Sequence, residues 1–230
     1  MEPQAECMRV ILGATPEGQK ELVGFQVGVR ESAQSWRELR VGLKSRGLAV
    51  PPERAVGDGA LGFWKAMDEI FPSTRHQRCW FHKMANVLNG FPKSMQPAVT
   101  ADLREISHAQ TRAAALVAIE TFKDEYAAKY QRGVTCLTRD NEALPAFHDF
   151  PAEHWEHLRT LNPIKSVFAT VRHRTVRTKG ALSQKTAKLM VFAPVRAASK
   201  KSRKLNGTNQ LPRVIEAVKF TDGVVADDAS

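Results

Sequence analysis

Asp58 stands between two glycines, in Gly57-Asp58-Gly59, directly after the short run Arg54-Ala55-Val56-Gly57. A carboxylate at the carboxyl end of a strand, in an open α/β sheet, lies where ligands and functional groups collect. It could hold a divalent cation, although Mg²⁺ usually takes one or two carboxylates together with substrate phosphates, so one Asp is a partial site. The competing reading is a turn Asp whose side chain satisfies its own backbone. Cys79 and His82, in Cys79-Trp80-Phe81-His82, are three residues apart and so lie on one face of a helix. They amount to half a zinc site, since structural zinc takes four ligands. His154 and His157 share the spacing but lie far along the chain, and local packing or hydrogen bonding beneath Asp58 competes with the metal reading. Arg172-His173-Arg174, with Thr175, Arg177, Thr178 and Lys179, combines positive charge with hydroxyls, the composition that grips phosphates. A solvated helix face would have the same composition.

These residues need elements to hold them. Met8 to Gly13 and Glu21 to Val29, joined by the turn-rich Thr15-Pro16-Glu17-Gly18, read as a β-hairpin. Ser35 to Arg46 carries Trp36, Leu39 and Leu43 at helical spacing and ends at Gly47 before Pro51-Pro52. Arg54 to Gly57 reads as a strand, Ala60 to Ile70 as a helix, and Gln77 to Leu88 as another. A long Ala-rich helical stretch is expected from Val99 to Tyr130, with further helices over Asn141 to Phe147 and Ala152 to Leu161. Asn162-Pro163 opens a helix running through Phe168 toward Arg172, because Pro suits a first turn. The basic residues continue through Lys185, Lys188, Lys200, Lys201, Arg203 and Lys204, and Asp222 to Ser230 reads as a loose acidic tail.

Composition bounds the partners. The 230 residues are 43% hydrophobic, enough for one ordinary core with a small inserted subdomain. Thirty-four Lys and Arg against twenty-four Asp and Glu give a formal charge of +10, which favours a polyanion such as nucleic acid through counterion release. Cys7, Cys79 and Cys136 form no regular disulfide framework, which fits a reducing compartment. No stretch approaches the roughly 18 apolar residues of a membrane span, and the first residues lack a leader pattern. A cytoplasmic, nucleoid-associated protein without a membrane partner is the expectation.

Several separated motifs in one order carry a family resemblance. Val56-Gly57-Asp58-Gly59-Ala60, the run Arg75 to Lys83, Asn162-Pro163-Ile164, the run Ser166 to Arg174, and Asn209-Gln210-Leu211-Pro212 resemble the mutator-type transposases of bacterial insertion sequences. The resemblance spans nearly the whole chain. It implies a ribonuclease-H-like α/β domain with an all-helical insertion between the second and third acidic positions, and a D-D-E triad that holds two Mg²⁺ or Mn²⁺ ions for in-line attack on phosphodiesters. Asp58 matches the second acidic residue, and Cys79 and His82 match the C-x-x-H signature after it. The expected division is a core segment over 1–98, the helical insertion over 99–150, C-terminal core helices with the basic segment over 151–215, and a tail over 216–230.

The resemblance also has departures. The family's first acidic residue falls upstream of Met1, which implies an N-terminally truncated copy whose first, central strand is missing. The third is expected in Asn-Pro-Ile-Glu-Ser, where this chain has Asn162-Pro163-Ile164-Lys165-Ser166. At about 4 Å and an effective dielectric of 20, each unit-charge interaction is worth about 4 kcal/mol, roughly doubled for a divalent ion, so Lys165 would repel the cation it replaces a ligand for. Metal binding is therefore doubtful here, and an Asp58–Lys165 ion pair is the expected occupant. The implied function is transposition of an insertion sequence by a copy inactive on its own. The alternative is a DNA-binding or transposase-binding inhibitor, acting through Arg172, His173, Arg174, Arg177 and Lys179 on element ends or on an intact protomer, with self-association possible.

Overall fold

The computed structural model describes residues 7–28, 33–45, 48, 50–162, 197 and 203–226. In chain order these form β1 (Cys7–Ala14), β2 (Lys20–Gly28), α1 (Ala33–Ser45), β3 (Arg54–Gly57), α2 (Leu61–Ile70), β4 (Arg75–Arg78), α3 (Trp80–Leu88), α4 (Gln96–Ser107), α5 (Arg112–Thr138), α6 (Trp155–Arg159), α7 (Leu211–Ile215), β5 (Phe220–Thr221) and β6 (Val224–Val225). The class is mixed α/β, and the strands pair as three two-stranded sheets. The chain divides into two compact units, one of 1–52, 60–74 and 162–212 and one of 53–59, 75–161 and 213–230. The helix expected from Asn162-Pro163 into the basic segment, with Lys165, Arg172, His173, Arg174, Arg177 and Lys179, lies outside the described residues.

In the first unit β1 and β2 pair antiparallel from Cys7↔Gly28 to Ala14↔Lys20, with a bulge between Ile11 and Leu12. Gly18, at φ +77°, closes the turn by donating to the Thr15 carbonyl at 2.8 Å. The hairpin is covered by α1, and Gly24 gives Leu39 and Leu43 room, since an added Cβ would already touch both at 3.4 Å. Trp36, Leu39 and Ala66 make a small core of α1 and α2, with Phe63 edge-on to Trp36 at 5.1 Å between ring centroids.

The second unit holds the larger core, in which Ile119, Leu103, Val99 and Leu137 are completely buried. Each such side chain contributes about 2 kcal/mol of transfer free energy. Phe91 sits among Phe122, Tyr126 and Tyr130, and Gly133 makes space for it: a Cβ there would meet the Phe91 ring at 2.2 Å. The Ala-rich stretch is two helices. Thr111 starts α5 as an N-cap whose hydroxyl accepts from Ala114 N at 3.1 Å, satisfying a donor that a continuous helix would have paired internally. The helix expected over Asn141 to Phe147 is a run of turns followed by a single 3-10 turn at Ala146–Asp149, and Ala152 to Leu161 contains another 3-10 turn before the short α6.

The main correction is β4, which falls partly within the helix expected to begin at Gln77. Arg75–Arg78 instead pairs parallel with β3, from Arg54↔Arg75 to Gly57↔Arg78. Gln77 is completely buried, with its side-chain amide donating to the carbonyls of Arg78 at 3.0 Å and Leu144 at 2.9 Å. A polar residue can occupy that interior position because both its protons are used. Residues 220–225, within the tail expected over 216–230 and overlapping the stretch from Asp222 expected to be loose, form a hairpin whose Asp222-Gly223 turn has positive φ at both residues, 48° and 86°.

Candidate functional site

Asp58 follows the last residue of β3 and is exposed. The strand ends there because Gly59 takes φ +100°, a conformation that L side chains rarely adopt. Gly59 has a second role. The Arg78 guanidinium lies where a side chain would be, with Nη1 1.4 Å and Cζ 1.9 Å from an ideal Cβ on Gly59. One of the two glycines flanking Asp58 thus accommodates a buried arginine.

Arg78 is tied to the start of the chain after α5. Its Nε donates to Asp140 Oδ2 at 2.8 Å, and the Lys83 ammonium reaches the same oxygen at 2.5 Å and the Cys136 carbonyl at 2.5 Å. Lys83 is completely buried and Arg78 nearly so. Two cations thus share one carboxylate. Burial pushes the Lys83 ammonium down, and hydrogen bonding to Asp140 recovers only part of that. Burial works to raise Asp140, but the hydrogen bonds and charges of Lys83 and Arg78 outweigh it and hold the carboxyl below its ordinary range. Both shifts are downward: burial of Lys83 outweighs its share of one carboxylate and disfavours its charge, whereas the two cations facing Asp140 favour the charge of the carboxylate. Arg78 Nη1 is buried without a hydrogen-bond partner.

Cys79 lies between β4 and α3 and joins three segments. Its N–H donates to the Gly57 carbonyl at 2.9 Å, its Sγ is 3.2 Å from His82 Nδ1, and the Leu161 N–H donates to Sγ at 3.3 Å. The residue before Asp58 and the residue before Asn162 are therefore both bonded to residue 79. Among the described residues no group of three or more His, Cys, Asp or Glu side chains converges as a metal site. Asp58, with the Arg78–Lys83 excess of positive charge behind it, does not by itself fit a pair of divalent cations.

Farther back, at the amino-terminal end of the same strand pair, Arg75 and Arg112 both meet Asp149, the latter at 3.4 Å. Arg54 stacks on Phe150 with its Cζ 4.2 Å from the ring centroid. Burial pushes the Arg54 guanidinium down to about 9, with Arg75 and Arg112 adding to the effect and Asp149 opposing it, so it keeps its charge at neutral pH. Sequence reading missed Arg78, Lys83 and Asp140 as a cluster. Charged residues read as solvated faces, and nothing local marks three of them, up to 62 residues apart, as buried partners.

Known proteins share much of this sequence. A sequence model described as "Transposase, Mutator family" matches residues 2–201. The chain is 47% identical over 221 residues to the transposase for insertion sequence element IST2 of Acidithiobacillus ferrooxidans, covering 96% of this chain and 75% of that protein. It is 44% identical over 223 residues to the transposase for IS6120 of Mycolicibacterium smegmatis, covering 97% and 69%. The transposase for IS905 of Lactococcus lactis is 27% identical over 170 residues, 74% of this chain and 43% of that protein.

Proposed function

The chain belongs to the mutator family of transposases, and from that premise we propose that it acts on the DNA ends of an insertion sequence, with Asp58 and position 165 as two members of its acidic site. The observation that carries the reading is the meeting of Gly57 and Leu161 on Cys79, at 2.9 and 3.3 Å. It brings Leu161 to the strand that ends just before Asp58, with β4 and the helices α2 to α6 between them in the chain. A ribonuclease-H-like fold is further supported by chain order: an antiparallel pair, then a parallel pair with an Asp at its carboxyl end, then helices. In this reading the edge of β3 away from β4 takes the central strand with the family's first acidic residue, from a preceding segment or another protomer.

DNA is the partner because of where the charge lies. Twelve of the thirty-four Lys and Arg fall in 163–204, which has no Asp or Glu, so the remainder of the chain carries twenty-two against twenty-four. The net positive charge is therefore concentrated in 163–204, the stretch that contains Arg172, His173, Arg174, Arg177 and Lys179, and this favours phosphate contact there. Among the described residues no helix is long and apolar enough to cross a membrane.

Lys165 sets the activity. An ammonium at a position that should neutralise Mg²⁺ or Mn²⁺ removes one ligand and repels the ion, so this chain binds DNA without cleaving it. Bound to element ends or to an active protomer, such a chain would act as an inhibitor. The test is strand cleavage and joining on DNA bearing an element's terminal repeats. The protein as it stands is compared with Lys165→Glu, each also preceded by a strand carrying the family's first Asp. Activity only after Lys165→Glu is expected; cleavage by the protein with Lys165 in place would overturn the assignment.

A further inference from the structure

We propose that Arg54, Arg75 and Arg112, at the amino-terminal end of the β3–β4 pair, form a second site for backbone phosphate of DNA, separate from the basic segment 163–204. The proposal rests on the reading that DNA is the partner. All of its residues belong to one compact unit.

Arg54 and Arg75 are the first residues of two adjacent parallel strands and pair directly, so their side chains leave the same face. Arg112 opens α5. Arg75 Nη2 and Arg112 Nη1 share a single oxygen, Asp149 Oδ2, the latter at 3.4 Å. The other carboxylates on Arg112 offset little of this charge. Glu142, 2.5 Å from Nη2, is 86% exposed and so screened by water, and Asp222 accepts from the Arg112 main-chain N–H at 2.6 Å. Three guanidiniums thus gather around one partly buried carboxylate.

Arg54 has no carboxylate bonded to it. Its Nη1 donates to Gln77 Oε1 at 3.3 Å and its guanidinium lies on the Phe150 ring, while Nε and Nη2 are buried with no hydrogen-bond partner. A network serving stability alone would pair those donors, because a buried charge left uncompensated is destabilising. Burial and the charges of Arg75 and Arg112 push the Arg54 guanidinium down to about 9, so the cluster lacks negative charge and is still cationic at neutral pH.

Phosphate is the acceptor that suits such a cluster, since the planar fork of arginine matches its oxygens two hydrogen bonds at a time. The half-exposed Arg75 and the partly exposed Arg112 give it access. Outside 163–204 the chain carries twenty-two Lys and Arg against twenty-four Asp and Glu, so phosphate contact there depends on local clusters and not on an overall positive field.

The test uses the full chain and a DNA duplex, with affinity followed against salt by fluorescence anisotropy. Arg75→Gln and Arg112→Gln are each expected to reduce the slope of log affinity against log salt by roughly 0.9, which is about eightfold in affinity per decade of salt. Arg132→Gln, an equal loss of charge on an exposed position of α5, is expected to leave the slope unchanged. Asp149→Asn should tighten DNA binding about threefold while lowering the melting temperature; an ion pair that only ties the chain together would lose stability with no gain in affinity.

NMR of the unaltered protein gives a readout independent of any variant. The Nε–H resonances of Arg75 and Arg112 should move on addition of duplex and, at higher concentration, of inorganic phosphate. Movement with phosphate but not with DNA would mean an adventitious ion only and overturn the site, as would equal slopes in all the arginine variants and the unaltered protein. If the unaltered protein shows no salt-dependent binding to duplex, DNA as the partner fails and this site with it; binding whose slope survives both Arg75→Gln and Arg112→Gln removes this site alone.

Discussion

Replacing Gly59 by Ala tests how the Asp58 turn is held. The backbone at φ +100° costs a non-glycine residue about 1–3 kcal/mol. The new methyl would also fall 1.4 Å from Arg78 Nη1, so the guanidinium must leave its place. Arg78 Nε is 2.8 Å from Asp140, and disrupting a buried ion pair by stripping one partner costs about 3–5 kcal/mol. Displacement leaves Lys83 on Asp140 and so loses part of that, which puts the total at about 3–5 kcal/mol, comparable with the whole stability of a marginal domain. Urea unfolding followed by tryptophan fluorescence reads the loss, because buried Trp80 donates its indole N–H to the Leu144 carbonyl in the same unit. In an Arg78→Ala background the penalty should shrink to the backbone part, about 1–3 kcal/mol. A cost below about 0.5 kcal/mol, within the range of neutral surface changes, or an equal cost in both backgrounds, would refute the reasoning.

Asp140→Asn should destabilise by about 2–4 kcal/mol, since Arg78 and Lys83 lose their shared counter-charge, while Lys83→Met should stay within about 1 kcal/mol of wild type; chemical denaturation at pH 7 checks both. Because the folded Asp140 carboxyl is held below its ordinary value, its contribution is present above that unfolded value and lost as pH falls through the folded one. The wild-type stability curve should therefore drop on the acid side, and part of that drop should be missing in Asp140→Asn. Gly133→Ala should lower the melting temperature although Ala favours helices, because its Cβ would meet the Phe91 ring at 2.2 Å and overpacking costs about 1–3 kcal/mol. Replacing Arg172, Arg174 and Arg177 by Gln should reduce the slope of log affinity for duplex DNA against log salt by roughly 0.9 for each phosphate no longer neutralised, as read by fluorescence anisotropy.

Much of the fold is legible where apolar residues recur at a clear period. The hairpin β1–β2, the strand β3 and the helices α1 and α2 follow their hydrophobic patterns and turn residues to within a few positions. β4 does not, because Arg-His-Gln-Arg has no apolar alternation; its burial depends on Gln77 finding two carbonyls, one of them 67 residues away. The break between α4 and α5 carries neither Gly nor Pro, and only Thr111, an N-cap residue within an Ala-rich run, signals it. Asp222-Gly223 is a recognisable hairpin turn, obscured by strands of two residues each. At the site, Asp58, Cys79 and His82 stand out by residue type and spacing. The Arg78–Asp140–Lys83 cluster and the Leu161–Cys79 bond are products of long-range folding with no local signature.

Whether Asp58 and position 165 form one acidic site is decided by Mn²⁺ binding, measured by electron paramagnetic resonance, to the protein as it stands, to Lys165→Glu, and to Lys165→Glu with Asp58→Asn. If they share a site, restoring the carboxylate should tighten binding at least about tenfold, equivalent to 1.4 kcal/mol, and Asp58→Asn should abolish the gain. Equal affinity in all three proteins, or a gain that survives Asp58→Asn, would show that they do not.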